Sequence, residues 1–164
     1  MIKLAVIMDL PEGKLPGYYA QIVKALAGGV SLFDREKKET LIVSDPEELQ
    51  AVERIMERYR VPFDTARLFF LLPDDALLTG IFTDYGFESR SGNRYIFQEK
   101  AAVFRLQSDH RELAESDQAG EQIAEHMIAK FTRGREEIYV VEGHLRELMT
   151  GIAKAYRCEI EWLA

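Results

Sequence analysis

Four apolar runs in this chain of 164 residues give way to acids, and carboxylates brought together are the groups best suited to hold a hard divalent cation. Asp9 and Glu12 follow "LAVIM", Asp45 follows "TLIVS", Asp74 and Asp75 follow "LFFLLP", and Glu142 follows "IYVV". If these runs are strands lying side by side and pointing the same way, their carboxyl ends gather the acids beyond one edge of the sheet, where open α/β sheets bind ligands. Grouped carboxylates repel unless a cation joins them. Asp9, Glu12, Asp74, Asp75 and Glu142 are therefore the candidate metal ligands, for magnesium or manganese in phosphoester chemistry. Asp45 and Asp75 also stand where helix N-caps stand, a role that needs no metal.

His144 follows Glu142 by two residues and changes charge near neutral pH, so Asp9, Glu142 and His144 form the candidate catalytic set. His110 and His126 lack the spacing of a helical metal pair. The piece "SRSGNRYIF" is locally basic and aromatic. Its Arg90, Arg94 and Tyr95 are candidate ligand-binding residues, the arginines for an anion and the tyrosine for a stacked base. A twisted hairpin with arginines on its solvent face explains the same pattern without a ligand. No Ser, Thr or Cys stands in a nucleophile motif, and "LPEGKLPGYY" lacks the spacing of a phosphate-binding loop.

A net charge of -7 provides no general positive field, which disfavours nucleic acid and anionic membranes as partners. Cys158 is the sole cysteine, so neither an internal disulfide nor a thiolate zinc cluster can form within one chain, and a reducing cytoplasm fits best. Acids and prolines interrupt "MIKLAVIMDLPEGK" before a signal-peptide core or membrane span is complete.

The elements that must position these residues follow from the apolar spacing. Leu4 to Met8 reads as a central strand and Tyr18 to Gly29 as a helix. Residues 30–44 read as a hairpin turning near Arg35 to Lys38. Ser44 as N-cap, Glu47 three residues later and Pro46 in the first turn mark the start of a helix whose stripe is Leu49, Val52, Ile55, Met56 and Tyr59. The run Leu68 to Leu72 belongs mid-sheet, with a short helix over 76–85 after it and antiparallel strands from Gly86 to Leu106. Asp109 and Glu112 cap a predicted helix running toward Phe131. Strand 136–141, helix 144–156 and an edge strand with Cys158 packed beside Trp162 complete the chain.

Strands alternating with helices predict a single α/β domain over 1–164: a mixed, mainly parallel sheet flanked by helices, with an antiparallel hairpin insertion around residues 86–107. No internal repeat stands out. Over "VVEG" the chain resembles the strand-plus-glutamate element of Toprim domains, without the later acidic pair they carry. Asp9 after the first strand is similar to the leading acid of PIN-like and NYN-like nucleases. Those likenesses imply metal-dependent nuclease chemistry. The composition as a whole points instead to a small cytoplasmic binding or regulatory protein, a monomer or homodimer engaging a protein partner or small ligand with no cofactor. A phosphoesterase or nuclease using magnesium or manganese is the alternative.

Overall fold

A computed structural model of the chain describes residues 1–13, 16–71, 76–107 and 115–164. The chain forms two compact units, Met1–Phe70 with Glu88–Tyr95, and Leu71–Phe87 with Ile96–Ala164.

The first unit runs β1 (Ile2–Met8), α1 (Pro16–Gly29), β2 (Asp34–Glu36), β3 (Thr40–Val43), α2 (Pro46–Arg58) and β4 (Phe63–Leu71). Alternate residues of β1 and β3 (Val6, Met8, Leu41, Val43) pack with Ile22 and Leu26 of α1 and Val52 and Met56 of α2 into one core. The cap of α2 is Asp45 rather than Ser44: the Asp45 carboxylate accepts the Glu48 N–H at 2.9 Å, while Ser44 Oγ accepts from Lys3 Nζ at 3.0 Å. Pro46 at the first helical position leaves Asp45 extended and ready to cap.

The chain continues with β5 (Leu77–Leu78), α3 (Phe82–Tyr85), β6 (Gly86–Glu88), β7 (Arg94–Phe97) and β8 (Ala101–Gln107). Then come α4 (Ser116–Ala124), β9 (Met127–Arg133), β10 (Glu136–Glu142), a 3-10 turn at Gly143–Leu145, α5 (Arg146–Ala155) and β11 (Glu159–Trp162). In the second unit Ala102, Phe104, Tyr139 and Val141 pack with Ile123 of α4 and with Met149 and Ile152 of α5.

The strand orders are β2-β3-β1-β4-β7-β6 and β11-β8-β10-β9-β5, and both sheets are antiparallel, which overturns the mainly parallel sheet. The physical reason lies in the connections. β1 and β2 do point the same way, as a strand-helix-strand crossover requires, because each is antiparallel to β3, but β3 lies between them. Likewise β4 shares the direction of β3 with β1 between. The elements β8-α4-β9-β10-α5-β11 repeat this plan, with β10 between β8 and β9, and β8 between β10 and β11. Each unit is therefore a split βαβ arrangement, βαββαβ with strand order 4-1-3-2, the ferredoxin-like topology. The fold is duplicated although no repeat is visible in the sequence.

Other expectations change in detail. The stretch 86–107 is antiparallel but is no insertion, since β6 and β7 extend the first sheet and β8 opens the βαββαβ plan of the second. The short helix over 76–85 shrinks to α3, preceded by strand β5. Asp109 and Glu112 lie outside the described residues, and the helix expected to reach Phe131 ends at Ala124. Met127–Arg133 is a strand, paired through Ile138↔Phe131 and Tyr139↔Lys130. Cys158 packs with Ala119 and Ala153, whereas Trp162 meets Phe104 edge-on at 5.1 Å.

Candidate functional site

The split topology decides where the strand-end acids go. The Met8 N–H donates to Glu39 O and the Asp9 N–H to Pro62 O, both at 2.7 Å, so the end of β1 lies beside the starts of β3 and β4. The Lys3 to Ser44 bond marks the opposite end of the sheet, where Asp45 caps α2. Asp9 and Asp45 are thus separated by the length of a strand. Asp9 and Glu12 are exposed, Glu142 ends β10 in the second unit, and Asp74 and Asp75 lie outside the described residues. Among the described residues no three His, Cys, Asp or Glu side chains are grouped as a metal site would need.

Glu142 and His144 do meet. His144 Nε2 lies 3.2 Å from Glu142 Oε2, with the imidazole 74% exposed and the carboxylate 24%. The 3-10 turn at Gly143–Leu145 brings the two side chains to one side. The pair stands at the surface rather than in a cleft.

The basic hairpin behaves differently from an anion platform. Tyr95 is 0% exposed, so its ring offers no face to a base. Its hydroxyl donates to Asp34 Oδ2 at 2.7 Å, and the same oxygen accepts from Ser89 Oγ at 2.6 Å and Asn93 Nδ2 at 2.9 Å. The Arg35 N–H donates to Oδ1 at 2.8 Å. Gly92 at φ +82 lets the "SGN" turn curl so that Ser89 and Asn93 both reach this carboxylate. Burial alone would raise the Asp34 carboxyl, but the hydrogen bonds from Ser89, Asn93, Tyr95 and the Arg35 amide outweigh it and hold the group below its ordinary value. Burial and the neighbouring Asp34 charge push the Tyr95 phenol well up, so it stays protonated and donates. Arg94 pairs with Glu88 at 3.4 Å, and Arg90 is exposed. The cluster is a satisfied structural hub.

Each unit also carries a cleft lined by described residues. In the second unit a cleft of about 550 Å³ is lined by Thr150, Lys154, Arg157, Cys158 and Gln107, among others. Burial raises the Cys158 thiol, which makes it a poor nucleophile there. In the first unit a cleft of about 420 Å³ lies between α1 and α2, with Ala25, Gly28 and Gly29 on one wall and Ala51, Arg54 and Arg58 on the other. Among the described residues none of Lys154, Arg157, Arg54 and Arg58 has a carboxylate within ion-pair distance. Sequence reasoning passed over these residues. The available signals were two arginines four apart on one helix and a Gly-Gly pair that reads first as a helix stop. Neither a family model nor a curated protein matches the chain.

Proposed function

We propose that the protein is a small cytoplasmic binding or regulatory protein, monomeric or homodimeric, that engages a protein partner or a small ligand. The observation that carries this reading is the placement in clefts of cations that have no carboxylate within ion-pair distance among the described residues, in a chain whose net charge is -7. In an acidic protein a cation without a carboxylate neighbour is a position where an external anion gains most. The alternative, a divalent-metal-dependent phosphoesterase or nuclease, needs acids that converge, and antiparallel neighbours send the acids after β1 and β3 to opposite ends of the sheet. Among the described residues no helix is long and apolar enough to cross a membrane.

Thermal melts of wild type, Asp9→Asn and Glu142→Gln, each with and without manganese at fixed ionic strength, test this reading. Binding without metal chemistry expects the same midpoints in both conditions. A manganese-dependent rise in wild type that disappears in either variant would replace the binding protein with the hydrolase.

A further inference from the structure

We propose that the cleft between α1 and α2 receives an acidic peptide segment of a partner protein, with its carboxylates on Arg54 and Arg58 and its backbone against Gly28 and Gly29. This rests on the binding reading and names the chemistry of the partner. Arg54 and Arg58 are one helical turn apart, both exposed and both on the wall of the cleft. Like charges at this spacing repel mildly, and no described carboxylate offsets them. Arg58 stands in the last turn of α2, where a cation complements the helix dipole. That effect fades within a turn and leaves Arg54 unexplained.

The facing wall supplies a separate observation. Gly28 and Gly29 close α1 without entering the left-handed region, and a Cβ added to either would meet nothing within 4 Å among the described residues. Neither backbone conformation nor packing inside the chain requires glycine there, although glycine weakens a helix relative to alanine. What glycine does permit is close approach by another backbone. The last turn of α1 carries no basic residue, and of its terminal carbonyls only that of Leu26 is met from beyond the helix among the described residues, by the Val30 N–H at 3.1 Å. The remaining carbonyls form the negative end of the helix dipole, which attracts N–H donors and repels a bare anion. Free phosphate would suit the arginines and oppose the carbonyls. A peptide brings carboxylates to the one wall and backbone N–H groups to the other.

Fluorescence anisotropy of a fluorescein-labelled decapeptide of alternating glutamate and glycine, titrated with the full chain, tests the proposal. A lysine-glycine peptide and inorganic phosphate serve as comparison probes. The glutamate peptide is expected to bind, to weaken as salt rises, and to lose affinity on the order of tenfold or more in Arg54→Glu/Arg58→Glu. Gly28→Leu should weaken it comparably with charge unchanged. Gly28→Ala should melt higher than wild type yet bind less well, a split that a folding defect cannot produce. Undiminished binding in the double arginine variant, equal binding of the lysine peptide, displacement by phosphate at equal concentration, or no binding of the glutamate peptide would each overturn the proposal. None of these outcomes depends on manganese, so this inference and the binding reading fail separately.

Discussion

In the first unit Lys3 and Asp34 are enclosed, 6% and 8% exposed, whereas in the second unit Arg105 lies between Glu136 and Glu161 on partly open strands. The topology is the same in both, so the difference concerns what each uses to define itself. Lys3 lies 3.6 Å from the Phe33 ring centroid and donates to Ser44, and Asp34 accepts from the side chains of Ser89, Asn93 and Tyr95. An enclosed charge has no water to fall back on, so its partners must be in place. Arg105 keeps access to water, which screens its ion pairs. The second unit relies on a close steric fit instead: α4 crosses Tyr139 so closely that a Cβ on Gly120 would stand 2.8 Å from the hydroxyl.

The largest expected effect comes from Asp34. Asp34→Ala removes the acceptor that Ser89, Asn93 and Tyr95 share inside the fold, which should cost about 3 kcal/mol or more in urea unfolding. Arg105→Ala, its counterpart in the second unit, should shift the urea midpoint far less. Equal losses would show that enclosure is not what separates the units. The pH dependence sharpens the test. The folded carboxyl of Asp34 sits below its unfolded value, so its contribution is full above about pH 5 and fades as pH falls through about 4 toward the folded value. Asp34→Asn should be less stable at neutral pH and lose less on acidification. An unchanged acid limb would mean the hub carries no charge.

Next is Gly120→Ala, where the new methyl meets a stiff ring: a loss of about 1–3 kcal/mol is expected. Tyr139→Phe removes the hydroxyl, and with it the bond to Glu137, at about 1 kcal/mol. In that background the nearest remaining atom is 3.8 Å away, so Gly120→Ala should become neutral or gain up to about 1 kcal/mol from helix propensity. Additive losses in the double-mutant cycle would remove the steric account.

These features show what the sequence could and could not reveal. The apolar runs at β1, β4 and β10 and the stripe of α2 were legible because local period reports burial directly. Strand direction was not legible, because "strand, helix, strand" reads the same whether or not a third strand enters between the pair. That one ambiguity also made the acids seem to converge. Met127 and Ile128 continued the apolar spacing of Ile123, so the end of α4 and the start of β9 read as one helix. The duplication leaves no extended repeat in the sequence because it is carried by topology and by only a few residues, among them "YRV" after α2 and "YRC" after α5. The Asp34 hub joins residues 55 to 61 positions apart, beyond the reach of any local pattern.

Asp45→Ala should cost about 1 kcal/mol through loss of the α2 cap. The corresponding start of α5 has no side-chain cap, since Leu145 occupies that position, so Leu145→Asp offers the converse test. There the gain of a cap competes with the loss of a residue packed against the second core, and the circular dichroism midpoint should not rise. A clear rise would mean that Leu145 contributes little packing.

The smallest effect tests whether the duplicated units are equivalent in detail. Helix α2 ends with the Arg60 N–H on Glu57 O and the Val61 N–H on Met56 O. Helix α5 ends with the Arg157 N–H on Lys154 O and the Cys158 N–H on Ala153 O. Both are the two-bond Schellman closure, in which the residue after the cap turns left-handed. Arginine occupies that residue in both units, at φ 54 and φ 60, where glycine would be free of strain. Relief of strain is partly offset by the greater freedom that glycine has in the unfolded chain, so Arg60→Gly and Arg157→Gly should each stabilise by no more than about 1 kcal/mol, with the same sign. Matched gains in thermal melts would make the two helix ends interchangeable. A gain for Arg60→Gly with a loss for Arg157→Gly would break the equivalence and assign the Arg157 side chain a stabilising contact of its own in the second cleft.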